Sequence, residues 1–414
     1  MNDELAIDEP NSAASLGSAA PPPEELAPDG LPVTLPNGFT RRQIAEAISP
    51  RIQELILLPT EKCNFRCTYC YEDFELGKMS EETQRAIELF IDKRMEGLEL
   101  LKFSWFGGEP LVAKDVVLRL SRYAKQKCDE HGVKFQGGLT TNAYVLDQAL
   151  ARELISLNQD FFQITLDGWK EAHDVLRQRA DGRGTFDVIW NNLLGLKALE
   201  LKFEVCVRIH VRRDNIENLE ILMREFALAF QGDKRFYLDF QHLRDMGGDG
   251  GKTIENPVSY LELIEIEAPL RTSYHQALRA LRGNLANSSP PNVVSDTTAS
   301  IPVLVKAKNS GESAGSQRAS EQVVGEPYIC YAGKPNSLLI RSNGRIGKCT
   351  VAFDDDRNDI GVLLPDGKLS LDTGRLNSWF NGIEDLDEAR AGCPIGGIAK
   401  EIKTHKVAFV GKSI

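Results

Sequence analysis

The sequence predicts an α/β fold, part of a (β/α)6 barrel, followed by a small C-terminal domain built on a β-hairpin. Three observations carry this. Six apolar runs alternate with five amphipathic stretches between residue 51 and about residue 245, and strict alternation of this kind calls for parallel strands joined by right-handed crossovers. Within the amphipathic stretches, apolar residues recur at three and four positions, the helical period. Near the C-terminus, "SLLIRSNGRIGKCTVAF" alternates on both sides of Asn343-Gly344, which reads as a hairpin with a type I' turn.

Residues 1–37 are rich in Pro, Ala and Glu, lack apolar periodicity, and read as a disordered tail. The core, residues 38–245, has strands expected in "ELILLPT", "LKFSWFG", "VKFQGGLTTN", "DFFQITLDG", "FEVCVRIHV" and "RFYLDFQHL". Helices are expected between them, in "SEETQRAIELFIDKRMEG", "AKDVVLRLSRYAKQKCDEHG", "LDQALARELISLNQ", "TFDVIWNNLLGLKALE" and "NIENLEILMREFALAF". Residues 246–329 are less regular. There "MGGDGG" precedes a helical stretch, and long polar segments surround "IPVLV", so this part reads as a bridge with a mobile insertion. Residues 330–414 form the C-terminal domain, with a second turn at "PDGK".

Composition narrows the function classes. At 42% hydrophobic and 26% charged residues the chain is a soluble globular type, with no run near the roughly 20 apolar residues of a membrane span. A net charge of -11 disfavours nucleic acid as a partner, because backbone binding needs a basic face to release counterions. The start "MNDELAIDEP" lacks the basic flank and apolar core of a signal peptide, so a cytoplasmic location is expected. Eight cysteines in a long chain of this type suggest metal or redox chemistry rather than a disulfide scaffold.

"CNFRCTYC", residues 63 to 70, packs three cysteines into one loop just after the first strand, at the C-terminal mouth of the expected barrel. Three thiolates at this spacing can face one point. Zinc usually takes four protein ligands, whereas an iron-sulfur cubane held by three cysteines keeps one iron open for an outside ligand. A half zinc site, or a group of buried thiols, is the alternative reading.

The pattern Cys63-x3-Cys67-x-Tyr69-Cys70 resembles the signature of the radical S-adenosylmethionine (SAM) enzymes, whose fold is a partial TIM-like barrel. "FGGEP" at Phe106 to Pro110, "TTNA" at 140 to 143, "ITLDG" at 164 to 168 followed by His173 and Arg177, and "VRIHV" at 207 to 211 extend the resemblance over roughly 195 residues in order. The resemblance implies a 4Fe-4S cluster on Cys63, Cys67 and Cys70. It also implies SAM contacts from Tyr69, Gly107, Gly108, Glu109, Asn142, Thr165, Asp167, Arg177 and Arg208, with Glu109 receiving the methionyl ammonium. Reduction of SAM by such a cluster yields a 5'-deoxyadenosyl radical that takes hydrogen from unactivated carbon, and the protein's task is to hold the target and exclude water. Cys128 and Cys206 read as ordinary buried thiols.

The spacing of Cys330, Gly344 and Cys349 resembles the opening of the SPASM and twitch domains that carry auxiliary clusters in radical SAM peptide maturases, and "DIGVL" and Trp379 resemble its continuation. The chain then departs from that pattern, offering only Cys393 where a full SPASM domain has several cysteines. One auxiliary iron-sulfur cluster on Cys330, Cys349 and Cys393 is expected, with a fourth ligand from another residue, the substrate or solvent; His405 is a conceivable one but reads as an exposed tail histidine, and the alternative is a cluster-free hairpin domain with three buried thiols. The expected function is side-chain modification of a ribosomally synthesised precursor peptide, by a crosslink of cyclophane, ether or thioether type. An activating enzyme that oxidises a Cys or Ser of a protein, as in sulfatase maturation, and a non-catalytic iron-sulfur scaffold are the alternatives. A flavodoxin- or ferredoxin-type electron donor is the expected partner, and no catalytic acid or base is singled out by spacing.

Overall fold

The computed structural model describes residues 33–35, 37–287, 327–400 and 406–409. Most of the expected tail, the polar part of the expected insertion from 288 to 326, and His405 lie outside the described residues.

The six expected strands form and run parallel in chain order: β1 (Ile52–Leu57), β2 (Leu100–Trp105), β3 (Lys134–Thr141), β4 (Gln159–Thr165), β5 (Glu204–Val211) and β6 (Phe236–His242). β1 and β6 do not pair, so the barrel is open. The crossover helices are α1 (Glu81–Arg94), α2 (Lys114–His131), α3 (Gln148–Ser156), α4 (Phe186–Lys197) and α5 (Ile216–Phe230). Local signals set their ends. Ser80 and Asp147 accept hydrogen bonds from the backbone amides of Thr83 and Leu150, and Gly132 closes α2 at a φ of +68°. Alternation along β5 buries Val205, Val207, Ile209 and Val211 beneath the helices, which leaves Cys206, Arg208 and His210 on the opposite, inner face.

After β6 the long helix α6 (Tyr260–Asn287) lies along α5, with Phe226 and Tyr274 in ring contact at 6.2 Å. The C-terminal segment joins the main sheet. β7 (Ser337–Ile340) pairs in parallel with the free edge of β1, Leu57 opposite Ile340, and β8 (Arg345–Gly347), β9 (Gly361–Leu363), β10 (Leu369–Asp372) and β11 (Lys406–Phe409) continue antiparallel. An edge strand carrying unpaired amides is thereby covered. A buried ion pair reinforces the junction, with Arg341 donating to both carboxylate oxygens of Glu61 at 2.9 and 2.6 Å.

The hairpin forms, but its turn is not type I'. Gly344 has a φ of +81°, whereas Asn343 is not among the residues with positive φ. The Gly344 amide donates to the Arg341 carbonyl and the Arg341 amide to the Arg345 carbonyl, which is a type I turn closed by a left-handed glycine bulge. Three loop residues rather than two set this register, and Asn343 avoids the left-handed region.

Candidate active site

The loop after β1 is clamped before it reaches the chemistry. Phe65–Cys67 pairs antiparallel with Arg177–Arg179, Cys67 opposite Arg177, and Phe65 is buried edge-on against Tyr144. The sulfur of Cys63 accepts from the amide of Phe65 at 3.3 Å and faces the Asn142 amide at 3.9 Å. The three thiols lie close enough to raise one another's pKa, and burial, the larger effect, pushes Cys70 up to about 12. Free of a metal they are therefore held protonated; binding exchanges protons for a cationic centre.

The Gly107-Gly108 pair locks a second loop against the first. Gly107 and Gly108 have φ of +85° and +31°, and a Cβ on Gly108 would sit 2.4 Å from the Lys62 carbonyl oxygen. The Glu109 amide donates to that same carbonyl at 3.1 Å, and the Gly108 amide donates to Glu72 at 2.6 Å. The Glu109 side chain is held by the protein's own donors. It is fully buried, accepting from Leu111 N (2.9 Å), Thr141 Oγ1 (2.7 Å) and Asn142 N (2.6 Å). Burial raises its pKa against those donors, and its direct work here is to tie the ends of β2 and β3 together.

Asp167 likewise positions its neighbours. It is fully buried; Tyr69 donates its hydroxyl to Oδ2 and His210 Nδ1 stands 2.9 Å from Oδ1. Its amide donates to His173 Nδ1 at 3.2 Å, so His173 carries its proton on Nε2, facing Thr185 Oγ1, which itself donates to the Arg177 carbonyl. Burial is the largest influence on Asp167 and favours its neutral form, but His210 and Arg177 together outweigh it and hold the carboxyl well below the usual range. Arg177 donates to the Tyr69 oxygen at 2.7 Å, and its buried Nε has no hydrogen-bond partner among the described residues. Arg208 is paired with Asp239, both Nε and Nη2 reaching Asp239 Oδ2 at 3.0 and 2.9 Å. Thr165 is largely buried opposite Arg208 in the sheet. His210 and Asn215 were not among the expected site residues. His210 was legible in "VRIHV", two positions after Arg208 and therefore on the same face; Asn215 carried no sequence signal.

The C-terminal cysteines also converge. Cys330 donates its amide to Ala391, beside Cys393, and the charges of Cys349 and Cys393 both raise the Cys330 thiol, which burial has pushed up to about 12. Asn358 fastens the Cys349 loop, accepting from the amides of Lys348 and Cys349 and donating to the Cys349 and Ala352 carbonyls, all at 2.8 to 2.9 Å. Tyr71, next to Cys70, donates to the Thr350 carbonyl at 3.2 Å, next to Cys349. The two thiol groups thus lie on either side of one tyrosine. Cys128 and Cys206 are buried apart from both groups, in α2 and β5.

Among the described residues no three His, Cys, Asp or Glu side chains gather as a single ion requires. That disfavours zinc. A multi-iron cluster spans more space and takes thiolates, the donor set present here; amide donors on the sulfur of Cys63 and the orphaned Arg177 Nε beside the loop suit a cluster carrying an anionic ligand.

The model of the Radical SAM superfamily matches residues 57–226. These residues form a radical SAM domain. Among similar proteins, the Fe-coproporphyrin III synthase of Methanosarcina barkeri (strain Fusaro / DSM 804) is 26% identical over 208 residues, 49% of this chain and 47% of that protein. The serine-type anaerobic sulfatase-maturating enzyme of Klebsiella aerogenes is 27% identical over 176 residues, 40% of this chain and 42% of that protein. The chain thus spans less than half the length of either relative. A solved structure of histidine-tagged anSMEcpe with bound AdoMet superposes with a TM-score of 0.51 at 18% identity, covering 75% of this chain and 78% of that one, which supports the fold. The cofactors of the superfamily are a 4Fe-4S cluster and SAM. In this radical SAM domain Cys63, Cys67 and Cys70 would hold the cluster, with Asn142 beside Cys63 and Arg177 opposite Cys67. Among the described residues no helix is long and apolar enough to cross a membrane.

Proposed function

We propose that the protein is a radical SAM maturase that oxidises side chains of a peptide or protein, with a crosslink in a ribosomally made precursor as the specific product. The observation that carries this reading is the placement of the second cysteine set beside the radical SAM loop: the Tyr71 hydroxyl next to Cys70 donates to the Thr350 carbonyl next to Cys349, and the Cys330 amide donates to the Ala391 carbonyl, two residues before Cys393. Forming a crosslink removes two electrons from the substrate, and a second cluster is a suitable acceptor for the one that the radical does not take. Oxidation of a Cys or Ser in a protein is the second reading, favoured by the sulfatase-maturating relative.

Anaerobic reconstitution tests the proposal. Wild-type protein is expected to hold about eight irons per chain and the Cys349→Ala variant about four, while Cys63→Ala loses SAM cleavage. With a short peptide encoded beside the gene, a mass loss of two hydrogens without a new aldehyde is the crosslink; an aldehyde at Cys or Ser is the second reading. A wild-type protein that makes no 5'-deoxyadenosine under reduction would leave a scaffold, and one that fills with only four irons would leave a cluster-free C-terminal clamp.

A further inference from the structure

Oxidising a side chain by two electrons releases a proton as well as a hydrogen atom. We propose that Nε2 of His210, oriented by Asp167, is the base that accepts it, an assignment that rests on the reading of the protein as a side-chain oxidase. His210 is the penultimate residue of β5 and lies on its inner face, at the end of the strand where the cysteine loop sits, with its ring edge-on to Tyr69 at 5.3 Å. Nδ1 faces Asp167 Oδ1 at 2.9 Å. In the neutral imidazole the carboxylate there selects the tautomer with the proton on Nδ1, which leaves the lone pair on Nε2.

The pair is held from behind. One amide, Nδ2 of Asn215, donates to the carbonyls of both Asp167 (3.1 Å) and His210 (2.9 Å), and the Tyr69 hydroxyl and the neighbouring Arg177 hold the other carboxylate oxygen of Asp167. Nε2 has no hydrogen-bond partner among the described residues, and the side chain keeps 18% of its surface exposed. An acid orienting one imidazole nitrogen while the other stays open is the arrangement in which histidine takes protons. Of the other acids around the site, Glu109 is fully buried, Asp239 is paired with Arg208, and Glu72 accepts from the Gly108 amide.

The balance closes without a further reagent. With the cofactors bound, the 5'-deoxyadenosyl radical would take one hydrogen atom from the substrate carbon; the second hydrogen, on O–H, S–H or C–H, goes as a proton to Nε2 as the new bond forms, and a cluster on Cys330, Cys349 and Cys393 would supply the acceptor for the remaining electron.

His210→Asn separates the base from its anchor, because the asparagine amide can still donate to Asp167 but has no atom at the place of Nε2. Oxidised peptide formed per 5'-deoxyadenosine released should fall about 100-fold or more. In the cofactor-free wild-type protein, 15N chemical shifts should show His210 protonated on Nδ1 with a bare Nε2, and Asp167→Asn should abolish that preference. An unchanged product ratio in His210→Asn, or a proton found on Nε2 in the wild type, would overturn the assignment. Wild-type protein forming no 5'-deoxyadenosine would instead overturn the reading of the enzyme, and the base with it.

Discussion

Gly108→Ala tests how the two loops of the radical SAM domain are locked. The new methyl would meet the Lys62 carbonyl oxygen at 2.4 Å and the Glu61 carbonyl carbon at 2.7 Å. Both are backbone atoms that cannot rotate away. The left-handed φ of +31° costs an alanine about 1–2 kcal/mol, backbone displacement around an inserted methyl about 1–3 kcal/mol, and the hydrogen bond from the Glu109 amide to Lys62, if lost with it, about 1 kcal/mol. These overlap, so a loss of about 2–4 kcal/mol is expected. Gly344→Ala is the matched control: its φ is +81°, but the nearest atom to an added Cβ is 3.6 Å away, so only the conformational cost of about 1–2 kcal/mol remains. Urea unfolding of the cofactor-free proteins followed by far-UV circular dichroism measures both. Because Lys62 precedes Cys63, iron bound per chain should fall in Gly108→Ala as well. A loss under about 0.5 kcal/mol, or one no larger than that of the control, would refute the idea that close backbone approach requires glycine at 108.

Two further perturbations address the frame. Arg341→Ala strands the Glu61 carboxylate, only 2% exposed, and should cost about 3–5 kcal/mol, whereas pairing Arg341→Met with Glu61→Gln should restore much of it; equal losses in the single and double variants would argue against the ion pair as a tie. Burial lowers the His173 pKa from 6.5 to about 4, so the native state refuses a proton that the unfolded chain accepts. Its stabilising effect is complete above pH 6.5 and is lost as pH falls toward 4, at about 1.4 kcal/mol per unit. Urea titrations from pH 7.5 to 5 should therefore give a shallower slope for His173→Gln than for the wild type, and parallel slopes would exclude His173 as the source.

Much of the site was legible because its signals are local. The cysteine spacing, the glycine pair and the polar residues at strand ends lie within a few positions of one another, and alternation fixes which face each strand residue takes. The roles of Glu109, Asp167 and Arg208 were less legible. A carboxylate in a loop looks the same in sequence whatever donors it meets; distant residues, Thr141 and Asn142 for Glu109 and His210 and Tyr69 for Asp167, supply them here. The turn at Asn343-Gly344 differs for a related reason, since the same dipeptide serves a two-residue loop or a bulged three-residue loop according to the strand register outside it.

By itself the sequence determined the six parallel strands, the intervening helices and the loop of three cysteines after the first strand, because hydrophobic period and thiol spacing are properties of the chain. Only the tertiary structure decided that β7 would pair with the free edge of β1, that Glu61 would be buried against Arg341, and that Tyr71 would stand between the two thiol groups. Those pairings join residues about 280 positions apart. Their partners are selected by an open sheet edge and by the need to satisfy buried charge, and neither requirement exists until the strands have assembled.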